Sequence, residues 1–304
     1  VTWLDSRLLI KTDSQYTNAA PDRTATDEIV RSAIEPEPGR LFIAQGFIAS
    51  DHRGITTTLG RGGSDFSAAV YGAALGAEEV QIWTDVPGIM TSDPRIVPEA
   101  GTVSEISYQE AAELAYFGAK VLHPSTIQPA VERSIPVYVR NTADPEGKHT
   151  KIVKKASGLE VRALAMKKNT VLINVYSTRM LNAYGFLSRM FTVFERYKTP
   201  VDLIATSEVS VSMTIDSENS LQEIRNELEE FSQVEIEKDR SIISLVGTGL
   251  RERNNLLLSV FKSLNGYPVE MISFGSSDVN LSLVVPDSEA EEALRALHRE
   301  FFST

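Results

Sequence analysis

The 304 residues contain no cysteine, which excludes disulfides, thiol catalysis and zinc–thiolate sites. The 4 histidines are scattered and show no metal-ligand spacing. No run of about 18 apolar residues is present to cross a membrane, and no signal-peptide pattern opens the sequence, so the chain reads as cytoplasmic with no membrane partner. Basic residues are in the minority: 30 Lys and Arg face 41 Asp and Glu, a formal net charge of −11. Nucleic-acid binders carry the opposite balance, which disfavours a nucleic-acid partner. A hydrophobic content of 42% supports a sizeable core and excludes global disorder, and the length suits two domains. An acidic protein that handles anions has to gather them through local Arg and Lys.

The most informative string is Thr56-Thr57-Thr58-Leu59-Gly60-Arg61-Gly62-Gly63-Ser64-Asp65. A β-branched run stops at the glycines, and apolar or small residues then recur at Phe66, Ala69, Val70, Ala73, Ala74 and Ala77, the period of a helix from Asp65 to Ala77. A strand, a glycine turn and a helix N-terminus follow in succession. Glycines let backbone N–H groups approach an anion, and the helix dipole favours negative charge there. Arg61 adds a planar fork suited to carboxylate or phosphate. Asp65 is suited to a cation, an ammonium or a lysine; the residues alone leave open a structural turn with Asp65 as helix cap.

Two further strings follow: Trp83-Thr84-Asp85-Val86-Pro87-Gly88-Ile89, continuing through Asp93-Pro94-Arg95, and Phe117-Gly118-Ala119-Lys120-Val121-Leu122-His123-Pro124. Together the three strings, in this order, resemble the aspartate kinases of the amino-acid kinase superfamily, and the likeness runs over nearly the whole chain. The opening Val1-Thr2-Trp3-Leu4-Asp5-Ser6-Arg7 resembles a segment well inside those enzymes. Their Lys-Phe-Gly-Gly strand and turn, and a glutamate that helps hold the substrate amino group, have no counterpart here. The sequence is expected to be an enzyme without its N-terminal portion, inactive by itself.

Strand candidates are Leu41 to Ile48, Ile55 to Leu59, Glu79 to Trp83 and Ile135 to Arg140, with a helix over Tyr108 to Phe117 stopped at Gly118. Their alternation predicts an α/β fold with a mostly parallel sheet sandwiched by helices. The polar stretch Asp144 to Ser157 reads as a linker, which puts a boundary near residue 158. Beyond it the sequence repeats itself: Phe194 to Ile204 reappears about 68 residues later as Phe261 to Ile272, with Pro200 matching Pro268 and Val201 matching Val269. Val171 to Tyr176 opens one unit and Ile242 to Val246 the other. Each unit reads β-α-β-β-α, a ferredoxin-like pattern that resembles the ACT domains that sense amino acids. The expected division is 1–158 for the catalytic domain and 159–304 for tandem ACT units, the first at about 171–238 and the second at 159–170 with 239–304.

The resemblance implies a chemistry. In the family the β-carboxylate of L-aspartate attacks the γ-phosphate of ATP, carried with Mg2+, and an acyl phosphate forms. The nucleophile is already an anion, so catalysis rests on positioning and charge neutralisation. By resemblance, Arg61 pairs with the substrate α-carboxylate, Gly62 and Ser64 share that pocket, Phe47 is its apolar wall, and Asp65 orients the absent catalytic lysine. For Phe47 a core position is equally compatible with the residues. Thr84, Asp85 and Met90 are implied at the nucleotide, with Arg95, Lys120 and Val121 toward its phosphates; Met90 stands where the family often has tyrosine. His123 reads as a packed histidine, and Glu227, Glu229 and Glu230 as the solvated side of a helix. Met180, Ala183, Gly185, Phe186, Leu187, Val201 and Asp202 resemble the lysine site of lysine-inhibited members, Asp202 meeting a cationic group; as a surface carboxylate Asp202 would need no ligand. L-lysine is thus the implied effector and a homodimer through the ACT units the implied assembly. The alternative for this sequence is an amino-acid-binding regulatory module without catalysis.

Overall fold

The computed structural model describes residues 1–118, 122–177 and 184–303. The chain forms two compact units, one of Val1–Thr91 with Ala100–Gly158 and the other of Ser92–Glu99 with Leu159–Thr304. Among the described residues no helix is long and apolar enough to cross a membrane.

The first unit opens with β1 (Thr2–Leu4), α1 (Ser6–Leu9), β2 (Lys11–Thr12), α2 (Arg23–Ala33), β3 (Phe42–Ala44), β4 (Ile48–Asp51) and β5 (Thr56–Thr58). It continues with α3 (Gly63–Leu75), β6 (Val80–Thr84), β7 (Glu105–Ser107), α4 (Tyr108–Tyr116), α5 (Pro124–Glu132), β8 (Val137–Asn141) and β9 (Thr150–Val153). Strand pairs β1–β3, β2–β4, β6–β8 and β7–β9 run parallel, whereas β4–β5 and β8–β9 are antiparallel. The α/β expectation is met, with two corrections. The apolar stretch 41–48 is not one strand: Phe47 adopts φ 74, which breaks the extended chain between β3 and β4. The supposed linker 144–157 contains β9, which joins β8 to β7 in the order β6-β8-β9-β7. Its Thr150 and Ile152 are buried while Lys151 and Val153 are half-exposed, so the strand hides its apolar face behind a polar composition.

Local signals explain the helices. α3 buries Ala69, Val70, Ala73 and Ala74 and contacts both α2 and α5. It ends at Gly76 in the left-handed conformation, with the Ala77 N–H donating to the Gly72 carbonyl. It starts two residues before the expected Asp65. α4 begins in a reciprocal cap: the Glu110 N–H donates to Ser107 Oγ, and the Ser107 N–H donates to Glu110 Oε2 at 2.7 Å. Asp22 caps α2 by accepting from the Ala25 N–H.

The second unit contains β10 (Val161–Tyr176), α6 (Phe186–Arg196), β11 (Ile204–Thr206), β12 (Ser210–Ile215), α7 (Leu221–Glu229) and β13 (Gln233–Gly247), then α8 (Leu256–Ser263), β14 (Met271–Phe274), β15 (Asn280–Pro286) and α9 (Asp287–Phe302). Its strands form one antiparallel sheet in the order β11-β12-β10-β13-β15-β14. The two ferredoxin-like repeats are therefore fused. The expected strands 171–176 and 242–246 are halves of the long strands β10 and β13, each shared by both repeats. The crossings fall at Asn169 (φ 58) and Asp239 (φ 56), left-handed residues of a type that tolerates that region. In the first repeat Val171, Ile173 and Val175 alternate into the core with Val211, Met213 and Ile215. Met190, Val193 and Phe194 of α6, with Leu221, Ile224 and Leu228 of α7, cover them at helical spacing. Each such side chain contributes about 1.5–3 kcal/mol of burial.

Segment 92–99 belongs to the second unit because α9 holds it. Arg295 Nε donates to the Ile96 carbonyl at 2.9 Å, and Val97 is 1% exposed.

Candidate active site and effector site

The glycine turn is built by close approach. Gly62 has φ 70, and a Cβ there would lie 2.8 Å from Thr126 Cγ2 of α5. A Cβ on Gly63 would lie 2.6 Å from the Phe47 ring. The start of α3 thus presses against both α5 and the 45–47 turn, and only hydrogens fit between them. Gly62 caps α3 and His123 caps α5, in each case without a side-chain hydrogen bond to the helix. Two helix N-termini without side-chain caps meet at Gly62 and Thr126, where dipoles of one sign suit an anion, while the Gly63 and Thr126 N–H groups themselves donate to the Gly60 and His123 carbonyls. His123 is exposed rather than packed, its Nδ1 lying 2.7 Å from Ser125 Oγ.

Around this turn the side chains separate into distinct roles. Arg61 is exposed. Asp65, in the first turn of α3, is half-buried, and burial pushes its carboxyl above the usual aspartate range. Among the described residues no cation pairs with it, so desolvation outweighs the helix dipole. Phe47 is 41% exposed, which rules out a core position; its N–H donates to Ser67 Oγ at 2.9 Å. Ser64 lines a cavity of about 450 Å³ with Gln45, Gly46 and Tyr71 among apolar residues. Ser6, wholly buried, was not singled out in the sequence. Its Oγ donates to the Gln45 carbonyl and lies 2.8 Å from the Tyr71 hydroxyl, which fixes the 45–47 turn. Asn18 was also missed; its amide oxygen lies against Gly60. Neither position carries a signal readable without the fold.

Thr84 ends β6 and Asp85 follows it, and Thr84 Oγ1 donates to Asp85 Oδ1 at 3.1 Å. Met90 bridges to Thr102, whose hydroxyl points at its sulfur. The turn between them is pinned by Thr150 of β9: the Ile89 N–H donates to Thr150 Oγ1 at 2.8 Å, and that hydroxyl donates to the Val103 carbonyl at 2.7 Å. Arg95 belongs to the second unit, where Asp93 holds its guanidinium through Nε and Nη2 while the side chain stays 87% exposed. That hydrogen bonding holds the Asp93 carboxyl below its usual range. Lys120 and Val121 lie outside the described residues, as do Met180 and Ala183.

In the first repeat, Gly185 caps α6 in the left-handed conformation (φ 83). The Phe186 ring meets Phe231 edge-on at 5.6 Å, and Leu187 is 42% exposed. Val201 is half-buried beside Asp202. Asp202 departs from the surface-carboxylate alternative. Its side chain is 1% exposed, so it is no surface carboxylate, and both of its oxygens accept from Lys167 Nζ at 2.9 Å. Asp216 Oδ2 lies 3.2 Å from the same ammonium. In the second repeat the matching Glu270 pairs with Arg240, which also binds Glu237 and donates to the Lys238 carbonyl. Glu227 also differs from expectation: it accepts from the Tyr197 hydroxyl at 2.6 Å and from Arg196, tying α7 to α6.

Residues 4–141 match the amino acid kinase family, and residues 243–301 match an ACT domain family. The chain is similar to lysine-sensitive aspartokinase 3 of Escherichia coli (strain K12), 41% identical over 310 residues that cover 99% of this chain and 69% of that protein. Aspartokinase 2, chloroplastic, of Arabidopsis thaliana is 44% identical over 280 residues, 86% of this chain and 51% of that one. The chain therefore spans about two thirds of the bacterial relative and about half of the plant one. The crystal structure of E. coli aspartokinase III in complex with lysine and aspartate matches with a TM-score of 0.84, over 99% of this chain and 69% of that one, at 41% identity. The same enzyme in complex with aspartate and ADP matches with a TM-score of 0.79, over 99% of this chain and 70% of that one, also at 41% identity.

Proposed function

Because the chain belongs to the aspartokinase family, we propose that it supplies part of the active site and the regulatory region of an ATP-dependent kinase acting on the L-aspartate β-carboxylate. The observation that carries this reading is the meeting of the α3 and α5 N-termini at Gly62 and Thr126, with Arg61, Ser64 and Asp65 issuing from the same turn. That cradle fits anionic oxygens: two helix dipoles converge on it, and its close approaches leave no room for side chains in between. The aspartate and ADP held by the E. coli enzyme are the corresponding ligands proposed here. Among the described residues no group of three His, Asp or Glu is placed to hold a metal ion, and magnesium is proposed to enter on the nucleotide.

In this reading Arg61 pairs with the substrate α-carboxylate, and Gly62 and Ser64 line its pocket with Phe47 as the wall. Thr84, Asp85 and Met90 hold the nucleotide, with Arg95, Lys120 and Val121 proposed at its phosphates on the resemblance alone. The β-carboxylate attacks the γ-phosphorus, the bond to the β,γ-bridging oxygen breaks, and 4-phospho-L-aspartate and ADP form. No proton needs to move, so the residues lower the barrier by neutralising and aligning charge. Asp65, raised by burial and without a cation among the described residues, is suited to position a lysine side chain.

We assign residues 1–158 to the catalytic domain and 159–304 to the tandem ACT repeats, with L-lysine as feedback effector. The effector is proposed at Met180, Ala183, Gly185, Phe186, Leu187, Val201 and Asp202. A homodimer through the ACT repeats is proposed on the edge strand β11 and its exposed Ile204, and a cytoplasmic location completes the reading. The test is a coupled ADP-release assay on a polypeptide that carries this sequence within the full length of its relatives. Turnover dependent on aspartate is expected; turnover with another amino acid and none with aspartate overturns the assignment.

A further inference from the structure

The environment of Lys167 is that of a ligand in a receptor. Its ammonium sits between two carboxylates, Asp202 at 2.9 Å to each oxygen and Asp216 at 3.2 Å. The Asp202 side chain is 1% exposed and that of Lys167 19%. A carboxylate so far removed from water requires a cation, because an unpaired buried charge costs several kcal/mol. Lys167 lies next to the β10 irregularity, where the pairing with β13 shifts register between Lys167 and Thr170. It is therefore attached to the chain where the strand passes from one repeat to the other.

The second repeat provides a contrast. There the acid is Glu270 and the cation is Arg240, whose guanidinium also engages Glu237 and the Lys238 carbonyl. A planar fork tied to three groups is not readily exchanged for an ammonium. Lys167 is a compact primary ammonium on a flexible stem, and its head group is the one that free lysine also carries.

We propose that Lys167 is the resident ammonium of the first repeat's effector pocket, and that a free primary amine competes with it for Asp202 and Asp216. This rests on the reading that lysine is the effector. The pocket then selects primary ammonium chemistry, and effector binding releases Lys167 at the junction shared by the two repeats. Resident occupancy also sets sensitivity: the effector's apparent affinity is reduced by the fraction of molecules in which Lys167 holds the carboxylates.

The experiment compares the 304-residue chain with its Lys167→Ala and Lys167→Met variants, the latter keeping the apolar stem so that folding does not decide the result. Lysine affinity is measured by calorimetry, and melting temperature is followed with ethylammonium chloride, using sodium chloride as the ionic-strength control. Both variants are expected to bind lysine roughly tenfold or more tighter than the parent chain. Lys167→Ala is expected to melt lower and to recover with ethylammonium but not with sodium, and Asp202→Asn in that background should abolish the recovery. Lysine binding that is unchanged or weaker in both variants overturns the competition and leaves the effector reading standing. If no form binds lysine, the effector reading falls and the competition with it; ethylammonium recovery then decides the ammonium site alone, its absence overturning that too.

Discussion

Gly62 and Thr126 stand so close that a single added methyl on Gly62 would lie 2.8 Å from Thr126 Cγ2. This approach joins the glycine turn to the α5 N-terminus, 64 positions away in sequence. Gly62→Ala meets two penalties: the left-handed φ of 70 disfavours a Cβ by roughly 1–2 kcal/mol, and α5 must shift to admit it. The variant is expected to melt several degrees lower and, in a full-length kinase, to raise the KM for aspartate beyond what stability explains. An unchanged KM for aspartate in a folded Gly62→Ala protein would remove the anion cradle from the account.

Asp65 gives a pH signature. Its folded carboxyl lies above its unfolded value because of burial. The folded state then holds the proton more tightly, so stability is greatest below the unfolded value of about 3.9 and falls as pH rises through the folded one. Asp65→Asn removes this loss. Melting curves from pH 3 to 7 are expected to coincide with the parent at the acid end and to lie above it at neutrality. A variant less stable than the parent at pH 7 contradicts the absence of a cation partner among the described residues.

Arg61 is exposed in the glycine turn and is assigned to the substrate carboxylate. In a full-length kinase, loss of that charge-assisted pairing costs roughly 1.5–3 kcal/mol, about tenfold to a hundredfold. Arg61→Ala should raise the KM for aspartate by that factor and leave the KM for ATP nearly unchanged. Equal weakening toward both substrates would place the guanidinium on the phosphates.

Arg295 anchors segment 92–99 to α9 through the Ile96 carbonyl. Arg295→Ala should speed amide hydrogen exchange in the peptide spanning 92–99 by roughly tenfold, on the usual worth of a charge-assisted bond, while exchange in β12 stays as before. Unaltered exchange would mean that burial of Val97 alone holds the segment.

The sequence conveyed what backbone chemistry demands. Gly60 and Gly62 both take positive φ, which glycine signals openly, and the small residues of α3 follow a clear helical period. The repeat was legible because the matching of Pro200 with Pro268 and Asp202 with Glu270 needs no knowledge of packing. The break at Phe47 was not, because an apolar residue with φ 74 is held there by its neighbours rather than by its own preference. β9 was hidden in a polar stretch because Thr150 spends its hydroxyl on the Ile89 and Val103 backbone. The resemblance implied a cation at the Asp202 carboxylate. Its resident cation, Lys167, lies 35 positions earlier on β10, beyond any local pattern. Segment 92–99 reads as a continuation of the Thr84–Asp85 string, and only the fold shows α9 holding it.

The most direct test of a lysine-sensing aspartokinase is calorimetric titration of the 304-residue chain with lysine, threonine and methionine, repeated on Asp202→Ala and Glu270→Ala. The account predicts that lysine alone binds, that Asp202→Ala removes the binding, and that Glu270→Ala, whose Arg240 network belongs to the second repeat, leaves it in place. Binding of threonine without lysine, or binding that survives Asp202→Ala and disappears with Glu270→Ala, contradicts it.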